Sequence, residues 1–335
     1  MDSVNLKKLS SILGLSVSTV SKALRDSYEI SEETKERVKK IAKAYNYQPN
    51  IYASSLRKAK SKTIAVIVPR IANNFFISAI DGIQEVAQEK KYHVLIYLSH
   101  ESYEYEKELV QSFASGRVDG MLISLTRETN DMEHLRQLVN NGIPVVFFDR
   151  VSTELDCSTV STNDYESAFE ATEHLIKAGC KKIAHCRISN KLSIGQHRLN
   201  GYRDALEKHN LDFHSKYVVK CSDNDVEDYK TIKTLLKDKD RPDGLFTAVE
   251  SYTLIAYEVC RELGIKIPQD LKLITFSNLR TAGLLDPSLT TITQPAFEIG
   301  EKAAAELISA IEKPRYFKPE NIILKSVLSP RDSTN

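Results

Sequence analysis

Residues 4–24, VNLKKLSSILGLSVSTVSKAL, decide how the chain begins. Leu6, Leu9 and Leu13 recur at helical spacing, which predicts a short helix with one buried face. Gly14 ends it, because glycine takes the left-handed conformation that a tight turn needs. Ser16 then suits the cap of a second helix, where its hydroxyl accepts from the N–H groups of the first turn. On that second helix Val20 and Leu24, four apart, turn to the core, while Ser18 and Lys22 turn roughly the opposite way. Val17 sits at the flank of the first turn. On composition alone a small helical hairpin with a solvated face is the simpler reading. The same pattern is also how a helix-turn-helix presents its second helix to a DNA major groove.

The sequence around this stretch adds charge and a third helix. After the turn 26–30, Ser31 suits an N-cap, and Glu32 and Glu33 suit the positive end of the helix dipole. Val38, Ile41, Ala42 and Tyr45 form an apolar stripe, flanked by Lys35, Arg37, Lys39, Lys40 and Lys43. Over all 335 residues the net charge is only +1, but it is unevenly placed. Residues 1–62 hold thirteen Lys+Arg against six Asp+Glu, and the remainder holds 33 against 39. A basic head on a mildly acidic body points to a polyanionic partner for the head alone. Residues 46–62, NYQPNIYASSLRKAKSK, connect the two. Pro49 disfavours helix at Gln48, and Asn50 suits the cap of a helix over 51–57 that is too short to be stable alone in water.

From Thr63 short β-branched runs alternate with amphipathic stretches. The runs 63–69, 93–98, 120–125 and 144–149 form one series, and 182–187, 217–221, 244–248 and 271–276 a second. Such alternation predicts parallel sheets with helices on both faces, here as two similar α/β lobes. The stretch 290–295 and a helix over 297–312 fit a return to the first lobe. Ligands of open α/β sheets bind at the carboxyl ends of the strands, so those ends are the place to look. They carry Asn74, Phe75 and Phe76 after the first run, Ser124 at the third and Asp149 at the fourth. Phe75 and Phe76 are equally readable as core. Gln294 lies on the return stretch.

Catalysis finds no support. There is no GxGxxG after a strand, no phosphate loop and no HExxH spacing among the eight histidines, so no enzyme activity, cofactor or metal is expected. The five cysteines include no CxxC pair and read as free thiols of a reducing cytosol. Neither a signal peptide nor an apolar run of membrane-spanning length is visible, which favours a cytoplasmic chain without a membrane partner. Two other classes would carry other signals. A ligand-binding protein without a DNA role would favour a secretion signal, and an enzyme on a doubly wound fold would favour a phosphate loop or metal cluster.

Three segments together carry a family resemblance: LSVSTVSKAL (15–24), ISEETKERV (30–38) and YNYQPNIYASSLR (45–57). With them the chain resembles the LacI/GalR family of bacterial transcriptional repressors, at similar spacing almost to its C-terminus. The resemblance implies a helix-turn-helix domain over 1–48, a hinge helix and linker over 49–62, and an effector-binding and dimerisation domain over 63–335 like the periplasmic sugar-binding proteins. It implies lobes of about 63–162 with 293–320, and about 163–292 with 321–335.

By the same resemblance Val17, Ser18 and Lys22 read base edges, while Ser16, Thr19 and Ser21 bond phosphates. Each has a plainer alternative, such as capping for Ser16 and a phosphate contact for Lys22. Leu56 would wedge into the minor groove, with Tyr47, Asn50, Ser55 and Arg57 as further contacts. The resemblance also implies a homodimer on a pseudo-palindromic operator in double-stranded DNA, with Leu284 and Leu285 near the dimer interface. A sugar or sugar derivative would bind between the lobes, gripped by Arg198 of the HRLNGY segment; an ion pair of Arg198 with Asp149 is the alternative. Three positions depart from the family pattern. Ser277 stands where an acid is common, Val249 where an amide is common, and Asn163-Asp164 reverses a common pair. With the acid replaced, the effector's identity stays open.

Overall fold

The structure, a computed structural model, describes residues 5–45, 47, 61–71, 74–114, 117–189, 191–222 and 224–335. It forms two compact units, Met1–Ser61 and Lys62–Asn335. In the first, helix α1 spans Leu6–Leu13, α2 Val17–Leu24 and α3 Glu32–Ala44. The caps follow the sequence. Ser16 Oγ accepts from Thr19 N and Ser31 Oγ from Thr34 N, and Gly14 ends α1 at a φ of 66°. Leu9, Leu13, Val20, Ala23, Val38 and Ala42 are buried together, with Leu24 and Ile41 half-buried against them. Tyr45, expected in the apolar stripe of α3, is exposed at the helix end. The expected helix over 51–57, with Asn50, Ser55, Leu56 and Arg57, lies outside the described residues.

The second unit contains two six-stranded sheets. The first comprises β1 (Thr63–Val68), β2 (His93–Leu98), β3 (Gly120–Ile123), β4 (Val145–Phe148), β5 (Ser158–Thr162) and β11 (Asn321–Leu324), in the order β11-β5-β4-β3-β1-β2. All its pairings are parallel. The second comprises β6 (Ile183–Arg187), β7 (Val218–Lys220), β8 (Gly244–Thr247), β9 (Lys272–Phe276), β10 (Thr290–Thr293) and β12 (Val327–Ser329), in the order β12-β10-β9-β8-β6-β7. Here only the edge pair β10–β12 is antiparallel.

One face of the first sheet packs against α4 (Asn74–Glu89) and α11 (Ala296–Glu312), and the other against α5 (Tyr103–Phe113) and α6 (Glu133–Asn140). The α4–α11 crossing is close. A Cβ at Gly82 would lie 2.1 Å from the Phe297 carbonyl oxygen, and one at Gly300 would lie 1.9 Å from that of Ala79. Only glycine fits at either point. The second sheet packs against α7 (Asp164–Lys177) and α8 (Ser193–Lys208) on one face, and α9 (Asp225–Lys237) and α10 (Glu250–Leu263) on the other.

The lobe boundary expected at residue 321 needs correction. Strand β11 belongs to the first sheet, paired with β5, so residues 321–324 lie in the first lobe and the last crossing falls at 325–326. The side chains explain it. Ile322 and Leu324 pack against the first lobe's core, and Thr159 Oγ1 donates to Asn321 Oδ1 at 2.6 Å. The chain therefore crosses between lobes near 163, 294 and 325. The crossings are stitched together: Asn163 Oδ1 accepts from Ser326 N at 2.8 Å, and Gln294 Nε2 donates to Thr162 Oγ1 at 3.2 Å. No helix among the described residues is long and apolar enough to cross a membrane.

Candidate functional site

The first unit exposes one face of α2. Val17 and Ser18 are exposed, and Lys22 is partly exposed and ion-paired with Glu29. Ser16 and Thr19 are bonded to each other, Oγ to Oγ1 at 2.8 Å, in addition to the cap bond. Ser21 Oγ accepts from Arg25 Nη2 at 3.0 Å. Tyr47 is half-buried against the head's core. Two cations of α3 are already engaged within the head, since Lys39 and Lys35 converge on Asp26 and Lys35 also meets Glu32. The hydrogen bond from Lys39 holds the Asp26 carboxyl below the usual range. Glu29, the partner of Lys22, was not among the expected residues, because a pairing seven residues apart across a turn leaves no periodic trace.

In the second unit, polar groups gather between the two sheets at the carboxyl ends of their strands. Arg198, on α8, is 2% exposed. Its Nε and Nη2 lie 2.7 and 2.6 Å from Asp164 Oδ1, and Nη1 donates to the Ala248 carbonyl at 2.5 Å. The guanidinium also lies 3.7 Å from the Phe276 ring centroid. The alternative pairing of Arg198 with Asp149 is thus corrected: the ion pair is with Asp164, at the first turn of α7. The reversed Asn163-Asp164 pair explains it, because it places the carboxylate rather than the amide at the helix start.

Phe75 and Phe76, expected beside a ligand, pack into the first lobe's core, edge to face with each other and, for Phe76, with Phe148. Val249 is half-buried against the second lobe's core. Ser124 is fully buried at the end of β3. Ser277 donates to Glu250 Oε2 at 2.6 Å, and Asn74 Nδ2 donates to Glu250 Oε1 at 2.9 Å. Glu250 thus binds one residue of each lobe and supplies the carboxylate that Ser277 lacks. It was legible as the acid ending the run Phe246–Glu250 but was not singled out. Gln294 is buried at the second crossing, its carbonyl accepting from Asn278 Nδ2 at 2.7 Å. His197 is exposed. Leu284 is 82% exposed. No cluster of three His, Cys, Asp or Glu fit to hold a metal occurs among the described residues.

Asp149 is the strained acid of the site. It is buried and non-glycine, yet its φ is 60°. Burial pushes its carboxyl up to about 6, against the pull of Arg150 and Arg198. A raised folded value means that the folded state holds a proton between about pH 4 and 6 that the unfolded chain has released. Stability therefore falls as pH rises through that window, by roughly 3 kcal/mol once Asp149 is fully charged. Asparagine tolerates the left-handed region and carries no charge. Asp149→Asn should accordingly raise the unfolding temperature at pH 7.5 more than at pH 4.5. Equal gains at both pH values would show that charge at Asp149 is not the source of the penalty.

The model of the bacterial regulatory proteins, lacI family, matches residues 12–50, and that of the periplasmic binding protein-like domain matches 172–334. The ribose operon repressor of Halalkalibacterium halodurans is 30% identical over 316 residues, covering 93% of this chain and 93% of that protein. The HTH-type transcriptional repressor CytR of Escherichia coli is 30% identical over 298 residues, covering 89% and 87%. Among solved structures, a periplasmic binding protein/LacI transcriptional regulator from Alkaliphilus metalliredigens, complexed with D-xylulofuranose, superposes with a TM-score of 0.70 at 27% identity, covering 82% of this chain and 99% of that one. A LacI family transcriptional regulator from Enterococcus faecium with bound ribose gives 0.71 at 25% identity, covering 81% and 98%.

Proposed function

The chain belongs to the lacI family of bacterial regulatory proteins, and on that premise we propose that it represses transcription from a pseudo-palindromic operator, as a cytoplasmic homodimer whose DNA affinity is set by a carbohydrate between its two lobes. It is a DNA-binding transcription regulator and not an enzyme. One observation carries the reading: the same chain joins an exposed Ser18–Lys22 helix face to a two-lobed body whose strand ends converge on Arg198, Asp149 and Glu250. Relatives named for ribose operons, and a neighbour holding ribose, support a sugar. Buried hydrogen-bonding groups suit a polyhydroxylated ligand, since each must be satisfied. The exposed Leu284 supports a protein partner at that surface.

Val17, Ser18 and Lys22 are proposed to read base edges, with Ser16, Thr19, Ser21 and Tyr47 fixing the register; Asn50, Ser55, Leu56 and Arg57 are proposed for the hinge. The effector acts by binding two lobe arrangements unequally. Glu250 is well placed for this, because its carboxylate bonds Asn74 from one lobe and Ser277 from the other. The test is retardation of the chain's own upstream DNA by the full-length protein, with and without ribose. Retention equal to that of a chain beginning at Ser61 would defeat the DNA role of the head. A sugar panel that leaves both operator affinity and thermal stability unchanged would defeat the effector role.

Lys22 and Glu29 give a sharper prediction. Lys22→Ala should weaken operator binding about 10- to 100-fold, the range for one base-reading contact, and should weaken random-sequence binding far less. Glu29→Gln releases Lys22 from an exposed ion pair and removes a negative charge facing DNA. It should tighten operator binding a few-fold at low salt, with the gain shrinking as salt rises. Anisotropy titrations on operator and random duplexes at two salt concentrations measure both effects.

A further inference from the structure

We propose that the cleft carries a subsite for an anionic group, so that the effector is a phosphorylated sugar rather than a neutral one. The inference rests on the carbohydrate reading above and narrows it. A cavity of about 350 Å³ opens between the lobes, with Arg127, Glu128 and Arg150 on the first-lobe side and Lys191, Leu192 and Lys220 among those on the second. Its volume is in the range of small-molecule sites. It adjoins the polar groups of the cleft through the chain itself. Arg150 directly follows Asp149, and Lys191 and Leu192 lead into α8, which carries Arg198.

The charge balance around this cavity favours an anion. Four cations line it and one carboxylate. Arg150 among them is also paired with Glu101 and, at 4.0 Å, with Asp149, so the positive excess comes chiefly from Arg127, Lys191 and Lys220. The first lobe's acids have work of their own. Glu101 grips Arg150 Nη1 with both oxygens at 2.9 Å, and Glu128 accepts from the Tyr103 N–H that opens α5. These contacts hold the Arg150 side chain in place. Across the cavity, Lys191 and Lys220 form no ion pair among the described residues. The Arg127 Nη1 group donates to the Ser222 carbonyl, so a first-lobe guanidinium already reaches the second lobe here.

A phosphate carries between one and two negative charges at neutral pH and three acceptor oxygens. Guanidinium forks match those oxygens, and lysines supply further point charge. Leu192 offers apolar surface to the carbon skeleton beside them. Because the cations come from both lobes, an anion between them is held best when the lobes are together. That is the unequal affinity an effector needs.

Calorimetry on the full-length protein tests the proposal with ribose, ribose 5-phosphate, ribonate, glucose, glucose 6-phosphate, gluconate and inorganic phosphate. At least one sugar phosphate should bind tenfold or more tightly than its parent sugar and than inorganic phosphate. The doubly substituted Lys191→Ser, Lys220→Ser protein, changed only at exposed positions, should lose about tenfold for the phosphate and keep its affinity for the parent sugar. Tighter binding of the sugar acid than of the phosphate would overturn the phosphate assignment. A neutral sugar that binds as tightly as its phosphate, with no change in the variant, would overturn the subsite and leave the carbohydrate reading standing. Binding of none of these probes would overturn both.

Discussion

Arg198→Ala should destabilise the protein by roughly 3–5 kcal/mol, the cost of leaving a buried charge without its partner. For a unit of this size that corresponds to a fall on the order of 10 °C in Tm. The loss has several sources. The carboxylate of Asp164 is 2% exposed as a residue and would lose both guanidinium contacts, keeping the Thr162 hydroxyl at 3.1 Å. The Ala248 carbonyl would lose a charged donor, and the Phe276 ring its stacked cation.

A second variant separates folding from ligand recognition. Arg198→Met with Asp164→Leu removes both charges at similar volume, a change that is often neutral or stabilising. It should recover most of the lost Tm. It should not recover carbohydrate binding, because the guanidinium proposed to grip the sugar is gone. Thermal unfolding and sugar calorimetry on the single and double variants distinguish the roles. A double variant as unstable as the single one would show that the ion pair is not what Arg198 contributes to the fold. A double variant that binds sugar like the unaltered chain would remove Arg198 from the effector site.

How far such groups were legible in the sequence depends on what kind of signal they leave. The head was read almost to the residue, because its caps and its apolar spacing are local. Ser16, Ser31 and Gly14 stand where the backbone needs them. The apolar strands of the body were equally visible. Strand β5 was not, since Ser158-Thr-Val-Ser-Thr has a single apolar residue. It is buried through hydrogen bonds instead: Ser158 Oγ donates to Glu306 and Thr159 Oγ1 to Asn321. Strands β11 and β12 are partly exposed edge strands, only the first with alternating exposure, and give short, mixed patterns.

The cleft was legible as a place and less so as a set of contacts. Strand-end logic found Asp149 and Ser124, and the family resemblance added Arg198 and Ser277. The partners that define their chemistry lie far off in sequence, Asp164 34 positions from Arg198 and Glu250 176 from Asn74. No periodicity encodes such pairs. Phe75 and Phe76 were readable either as core or as ligand-facing, and the apolar faces of β1, β4 and α11 hold them in the core.

The second large effect belongs to the head and follows from its size. Leu9→Ala should abolish most operator binding while leaving the body's unfolding temperature and its sugar affinity unchanged. Leu9 is fully buried in a core of six residues. Truncating a buried leucine costs about 2–5 kcal/mol. A domain this small rarely has more than about 3–5 kcal/mol of stability to lose. The substituted head is therefore unfolded for a large part of the time. Ile12→Ala, on the same helix but 41% exposed, is the control and should cost little, within about 0.5 kcal/mol.

The mechanism leaves a signature that a damaged contact surface would not. DNA binds only the folded head, so the apparent Kd rises by the inverse of the folded fraction. Excess operator should then draw the head back into its fold, restoring helical circular dichroism in step with occupancy. A Leu9→Ala protein that has full helical signal without DNA, yet fails to bind it, would mean that Leu9 acts at the DNA surface and not in the core. One that binds operator like the unaltered chain would mean that the three helices draw their stability from something other than their shared apolar residues.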